Sequence, residues 1–589
     1  MISRSQRASI RTIQTYYEEK RSPLDEREYA VAKQLDPKDP TPYFYDAIAK
    51  QTTNRPVEAL RDMEKAIELN DNRAVYRSQL LLDADLASRS ASLARIYSDL
   101  GFQDLALVEG WKSVNTDPSN FSAHRFLADS YSALHRHEIA RVSELLQSQL
   151  LQPLNMTPIQ PHLAESNLFL SSGGPTGLSF NEFNPLFNRN GATFQASGLV
   201  GGNSTGSGEV VAAGIQNNMS LSAGAFYFSS DGFRPNASQR DTIANVFYQW
   251  ELSPQASIQA EYRYRHEEHG DLQLRFFADE FFPGQRTPQE TNVFRLGGRY
   301  SFSPSNTLLA SATYSHARFG AFDTDPFVAP GFITSLNLRE PQNAVGVELQ
   351  DIYRSAQFNL VAGGGYFKRN GTSTLTVGTV LPPPDDVSET SFKEDVKHTN
   401  VYLYGYLNYL KNVTLTLGVS GDFINSSAPE IGDINQVNPK FGIMWEPMPG
   451  TTIRAAAFRV EKRTLITDQT LEPTQVAGFN QFFDDFNGTK AWRYGAAWDQ
   501  KFSRDVFGGI EISKRELKVP AFDQNGDSIR VDWEEGLARA YLFWTPHPWW
   551  ALRAEYQYER ITRDELLTDG VKKANTQRVP LGVNFFHPS

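Results

Sequence analysis

The stretch SIQAEYRYRHEEHG, residues 257–270, alternates through Arg265. Ile258, Ala260, Tyr262 and Tyr264 fall on one side, and Gln259, Glu261, Arg263 and Arg265 on the other. The phrase returns as LRAEYQYER at 552–560, with Leu552, Ala554, Tyr556 and Tyr558 opposite Arg553, Glu555, Gln557 and Glu559. A period of two predicts strands. In a soluble sheet the apolar side would face a core. In a wide membrane barrel it would face lipid, and the charged side would face the lumen.

The connections decide between these. Alternation continues from about residue 190 to the end in eighteen candidate strands, starting near 192, 208, 219, 241, 256, 291, 306, 342, 356, 398, 413, 436, 451, 490, 505, 531, 549 and 576. After even-numbered strands the turns are tiny: NN at 217–218, SPQ at 253–255, KN at 411–412, SR at 503–504. After odd-numbered strands they are mostly long and polar, as at 320–340, 370–396, 464–489 and 519–530. An even strand count with short turns at one rim and long loops at the other is the pattern of an outer-membrane β-barrel. A soluble sandwich has no reason to sort its loops by parity.

This orientation places Ile258 and Leu552 against lipid. It lines the lumen with Glu261, Arg263, Arg265, Arg295, Arg299, Arg553, Glu555 and Glu559, and assigns Trp544, Trp549 and Trp550 to an aromatic girdle beside a short turn. Tyr402, Tyr404 and Tyr406 alternate with Val401, Leu403 and Leu407. They form either a lumenal stripe suited to the apolar faces of sugar rings or, with the strand turned over, a lipid-side belt.

Before residue 160 the pattern is different. Leu93, Ala94, Tyr97 and Ala106 recur 34 residues later as Leu127, Ala128, Tyr131 and Ala140, with Pro118 between the two sets. Small residues at a fixed spacing let paired helices approach closely, and the proline stops one unit before the next begins. These residues resemble the tetratricopeptide repeat. The resemblance implies a helical solenoid over 1–155 that offers a concave surface to a periplasmic partner. Residues 156–190 read as a linker, too short for a folded plug. The architecture is therefore a helical solenoid followed by an antiparallel transmembrane barrel over 191–586.

Other features narrow the function. The chain has 589 residues, no cysteine and a net charge of −11. Disulfides, thiolate metal sites and cysteine catalysis are excluded, and the acidic balance argues against a nucleic-acid partner. No apolar run reaches the ~18–20 residues of a spanning helix. MISRSQRASIRTIQTYYEEK lacks the apolar run of a signal peptide, so the chain is expected to be a fragment or to start upstream. No nucleotide-binding, zinc-protease or hydrolase motif occurs. No enzyme activity or cofactor is expected. His135 with Glu138, and His266 with His269, have metal-like spacing but read better as solvated positions. Asp523, Asn525 and Asp527 in FDQNGDS begin like a calcium loop, but the glycine is at 526 rather than the sixth place and no glutamate closes the loop.

Three further resemblances bear on function. RVPLGVNFFHPS, with Val579, Leu581, Val583 and Phe585 at alternate positions, resembles the terminal strand read by the barrel-assembly machinery. Repeats followed by a barrel resemble the exopolysaccharide export porins, which implies passage of a polysaccharide or other polar solute. LEPTQVAGFNQFFDDFNGTKAWRYG, 471–495, is similar to a late barrel segment of TonB-dependent receptors, where a Leu-x-Pro-Glu phrase precedes a strand. Those receptors carry an N-terminal plug and twenty-two strands, which this chain does not display. The leading expectation is an export channel; the others are a plug-less receptor-like barrel for uptake and a structural, surface-binding barrel.

Overall fold

A computed structural model describes residues 22–75, 82–132, 134–154, 190–273, 281–324, 333–379, 386–428, 431–465, 467–522, 528–563 and 571–587. The expected linker lies outside the described residues except for Asn190. The calcium-like positions Asp523, Asn525 and Asp527 also lie outside them.

The helical part comprises α1 (Ser22–Leu35), α2 (Pro40–Thr52), α3 (Pro56–Glu68), a 3-10 turn (Asn70–Val75), α4 (Leu82–Asp99), α5 (Gln103–Thr116), α6 (Phe121–Tyr131) and α7 (Glu138–Leu151). Local chemistry sets the helix starts. The Asp39 carboxylate accepts from the Thr41 amide at 2.9 Å and Pro40 opens α2. Asn120 Oδ1 accepts from the Ala123 amide at 3.1 Å to cap α6. Consecutive helices pack in pairs, α2 with α3, α4 with α5, α6 with α7. The residues spaced by 34 are buried at these contacts. Gly110 is needed where α5 meets α6: a Cβ there would lie 2.9 Å from Leu127 and from Phe126.

The strands are β1 (Gly191–Gly201), β2 (Thr205–Gln216), β3 (Met219–Ser230), β4 (Gln239–Ser253), β5 (Ala256–His269), β6 (Thr287–Ser303), β7 (Asn306–Asp323), β8 (Ile333–Arg354), β9 (Phe358–Thr379), β10 (Asp386–Leu410), β11 (Val413–Ser426), β12 (Ile434–Trp445), β13 (Thr451–Glu461), β14 (Gln475–Val476), β15 (Phe479–Asn480), β16 (Lys490–Lys501), β17 (Val506–Phe522), β18 (Ser528–His547), β19 (Trp550–Arg563), β20 (Lys573–Arg578) and β21 (Leu581–Phe585). All but β14 and β15 form one antiparallel sheet of nineteen strands, paired in chain order from β1 to β19. β20 and β21 lie end to end along β19, broken at Pro580, so the sheet has eighteen staves. Among the described residues no pairing joins β1 to β20 or β21, and the sheet is barrel-like but open at this seam.

Two-residue turns at 217–218 and 411–412 place Asn217 and Asn412 at φ of 55° and 60°, which asparagine tolerates better than most residues. The other rim departs from expectation. Residues 370–396, read as a long loop, are mostly strand: β9 and β10 run 22 and 25 residues and pair as far as Thr379 and Asp386. A membrane crossing needs only ~9–11 residues per strand. The Thr-rich alternation of TSTLTV continues the ladder, so the hairpin stands clear of the bilayer.

The outer surface shows which face meets lipid. Val246, Ile258, Leu296, Val347, Leu349, Leu403, Leu417, Ile510, Ile512 and Leu542 are exposed on it. Beside the short turns lies a belt of exposed aromatics: Trp250, Tyr300, Phe302, Tyr353, Tyr409, Trp445, Trp498, Trp544, Trp549 and Trp550. An apolar band edged by such a girdle is how a barrel meets the hydrocarbon and headgroup layers.

Candidate functional site: the filled lumen

The helices do not stand apart from the sheet. Arg299 donates to the Leu151 carbonyl at 2.8 Å, Gln249 to the Gln152 carbonyl at 3.0 Å, and Arg295 to Gln149 Oε1 at 2.8 Å. Arg354 pairs with Asp117 at 2.6 Å, and Asn359 donates to the Thr116 carbonyl at 3.0 Å. Arg539 pairs with Asp104, Phe102 stacks on Phe543 at 4.7 Å, and Asn584 donates to the Leu100 carbonyl at 3.0 Å. These partners sit on β4, β6, β8, β9, β18 and β21, so the sheet curves around the helices. The α4–α5 pair lies across the short-turn mouth. The α6–α7 hairpin enters the lumen, and α7 runs back from the long-loop side to Leu151 near the short turns.

The segment 462–489 meets the hairpin from the opposite rim. Residues 464–489 were expected to form a long polar connection, yet Leu471, Val476, Phe479 and Phe482 are buried. Arg463 pairs with Asp422 at 2.7 Å and with Glu472, while Tyr404 donates to Glu472 at 2.5 Å. Glu348 accepts from Thr470 Oγ1 at 2.7 Å and from the Leu471 amide at 3.2 Å. Gly478, at φ 83°, lets the β14–β15 turn press against Trp111.

Loop and hairpin are joined directly. Thr474 donates to Glu144, the Thr470 amide donates to Ser143 Oγ at 3.1 Å, and Gln475 donates to Asn115 Oδ1 at 2.7 Å. α7 has no side-chain cap of its own at His137. Asp484 caps it from the loop, accepting from the Glu138 and Ile139 amides at 3.0 and 3.1 Å. Asp485 pairs with Arg136 at 2.5 Å and with Arg515, and Glu535 bridges the same two arginines at 2.8 and 2.6 Å.

Within the hairpin, His124 places Nδ1 2.5 Å from Glu144 and Nε2 2.9 Å from the Pro118 carbonyl. Both ring nitrogens face acceptors, so the protonated ring fits best. Burial alone would lower its pKa, but Glu144 and the Pro118 carbonyl outweigh it and the pKa is raised.

The residues singled out in the sequence are distributed as follows. Glu261, Arg263, Arg265 and Arg295 are buried on the concave face; Glu261 pairs with Arg295 at 2.7 Å and Arg265 with Asp241 at 2.9 Å. Arg299 holds the end of α7. Arg553, Glu555 and Glu559 lie near the seam and are partly exposed. Tyr402, Tyr404 and Tyr406 are buried while Val401 and Leu403 are exposed, and the tyrosines pack with Leu146, Leu150 and Phe479. The stripe is therefore covered by helix and loop and cannot serve as an open sugar platform. His135 is exposed and Glu138 binds Arg141 at 2.6 Å; no group of three or more metal-ligating side chains occurs among the described residues.

The sequence displays no N-terminal plug, yet helix and loop groups fill the lumen and bond to its polar inner face at many points. Sequence reading also missed Asp484, Asp485, Arg136, Arg493 and Arg515. The available signals were FNQFFDDF, too aromatic for a solvated loop, and SELLQSQLLQ, which carries no charge after Glu144.

An apolar band, an aromatic girdle and a filled lumen define an outer-membrane barrel whose lumen is filled by its own chain. The chain belongs to the TonB dependent receptor-like β-barrel family, which matches residues 186–496, more than half of its length. Among solved structures it is similar to the copper transporter OprC (11% identity, TM-score 0.52, covering 68% of this chain and 66% of that one). It is also similar to the ferric yersiniabactin uptake receptor FyuA from Yersinia pestis (13%, TM-score 0.49, 64% and 62%). A third is the ferripyoverdine receptor of the Pseudomonas aeruginosa outer membrane (11%, TM-score 0.48, 67% and 59%). Each match spans less than two thirds of the solved chain. No curated protein matches. The family match favours the uptake reading over the export porin.

Proposed function

We propose that this protein is a gated outer-membrane uptake receptor in which the α6–α7 hairpin and the loop 462–489 together close the pore. The observation that carries this reading is the direct bonding of loop to hairpin at Ser143, Glu144 and Asp484 inside the sheet. Nothing polar can pass while those contacts hold. A solute binding from the long-loop side must loosen them, and the energy for passage would come, as the family implies, from a TonB-type periplasmic partner. The solute class that fits best is a metal chelate too large for simple diffusion. The helical pairs at the short-turn mouth, whose 34-residue spacing resembles tetratricopeptide repeats, are a periplasmic docking surface for that partner or another, and the terminal strand is the assembly signal.

A tether tests the gate. The chain has no cysteine, so Ser143→Cys with Thr470→Cys gives a single disulfide pair. Oxidised cells should lose accumulation of radiolabelled metal chelate and regain it on reduction. Accumulation that is indifferent to the tether would show that hairpin and loop need not part.

A further inference from the structure

The contact between the loop and α7 is built like an anion-binding site with the chain's own carboxylates in it. The first amides of α7 point outward with no cap from their own helix, and a helix N-terminus favours negative charge. Around them Arg136, Arg493 and Arg515 converge on one ring, Phe483, at 5.8, 5.0 and 3.9 Å from its centroid. Asp484 occupies the helix end and Asp485 the Arg136–Arg515 fork.

Arg493 is the unexplained member. It is 6% exposed, donates Nη1 to the Asn480 carbonyl at 2.6 Å, and leaves Nε without a hydrogen-bond partner. A buried guanidinium left partly unsatisfied is costly, and it suits an acceptor that arrives from outside. Arg136 points the same way. It holds a left-handed backbone, φ 62°, at a turn position glycine would take more easily, and its side chain is 40% exposed. The cationic surroundings register on His137, whose pKa falls to about 4, through burial and through the guanidiniums of Arg493, Arg515 and Arg136.

We infer that Asp484 and Asp485 are resident stand-ins for an anionic ligand. A solute carrying two or more carboxylate or phosphate oxygens enters from the long-loop side, takes their place on the α7 amides, Arg136 and Arg515, engages Arg493, and so releases the loop from the hairpin. The site rests on reading the hairpin as a plug, but it names the chemistry that opens it: exchange of one set of anions for another, with no new cation.

Citrate is a suitable probe, titrated calorimetrically into the full chain in detergent micelles, with heat-modifiable gel migration reporting the fold. Asp484→Asn with Asp485→Asn removes the two competitors on the loop, leaving Glu535 on the barrel wall, and should bind citrate at least tenfold more tightly than the unaltered chain. Adding Arg493→Gln should cancel the gain. Equal affinity of the two proteins, or a gain that survives Arg493→Gln, overturns the inference. Should the double variant not fold, spin labels on the otherwise unaltered chain at His135→Cys and Phe486→Cys give the second measurement. Their separation should lengthen in saturating citrate, and an unchanged separation overturns the inference. Citrate binding that behaves as expected in a protein whose tethered gate still transports would leave the site standing and remove the transport reading.

Discussion

His124 is the clearest case of one side chain reporting the state of the lumen. Its two acceptors, Glu144 and the Pro118 carbonyl, tie α6 to α7, and Glu144 in turn holds Thr474 of the loop. Because the folded-state pKa is raised above the unfolded value, the ring's contribution to stability is fully present below about pH 6.5 and is lost as pH climbs through the raised folded value. Proteolytic release of the hairpin, slow at pH 6, should accelerate at pH 9. His124→Gln should flatten that difference by making the low-pH protein as labile as the high-pH one. A variant that keeps the full pH difference would place the switch elsewhere.

At the scale of elements, what the sequence made legible followed from period. Alternation located each of the eighteen staves because lipid and lumen sort side chains on every second residue. The short turns were readable from Asn and Pro-Ser pairs. The filling of the lumen was not readable in the same way. α7 buries Ser143, Glu144, Gln147, Ser148 and Gln149 along with its leucines, and a helix that meets polar groups all round has no single apolar stripe to find. The loop 462–489 was hidden for a different reason: its contacts with the hairpin are to residues more than 300 positions away, which parity of loops does not encode. The seam at β1 is likewise a long-range matter. Unpaired strand edges in hydrocarbon cost several kcal/mol per polar group. β1 is an odd stave and β20–β21 an even one, so antiparallel closure is topologically available. In lipid nanodiscs the seam-facing amides of β1 should exchange with deuterium as slowly as those of β2. Fast exchange confined to β1 would mean that the edge stays open or meets something other than the last stave.

For the whole molecule, the contacts run from short-turn mouth to long-loop rim: Arg539 with Asp104 and Arg354 with Asp117 below, Arg295 with Gln149 midway, Asp484 on α7 above. A solute cannot cross while all of them are made, so the resting barrel should not conduct. Planar-bilayer recording tests this most directly, comparing the full chain with one from which 121–151 has been removed. No steady ionic current should pass through the full chain, and discrete current steps should pass through the shortened one. Porin-like conductance from the full chain would contradict it, because the hairpin would then not close the pore.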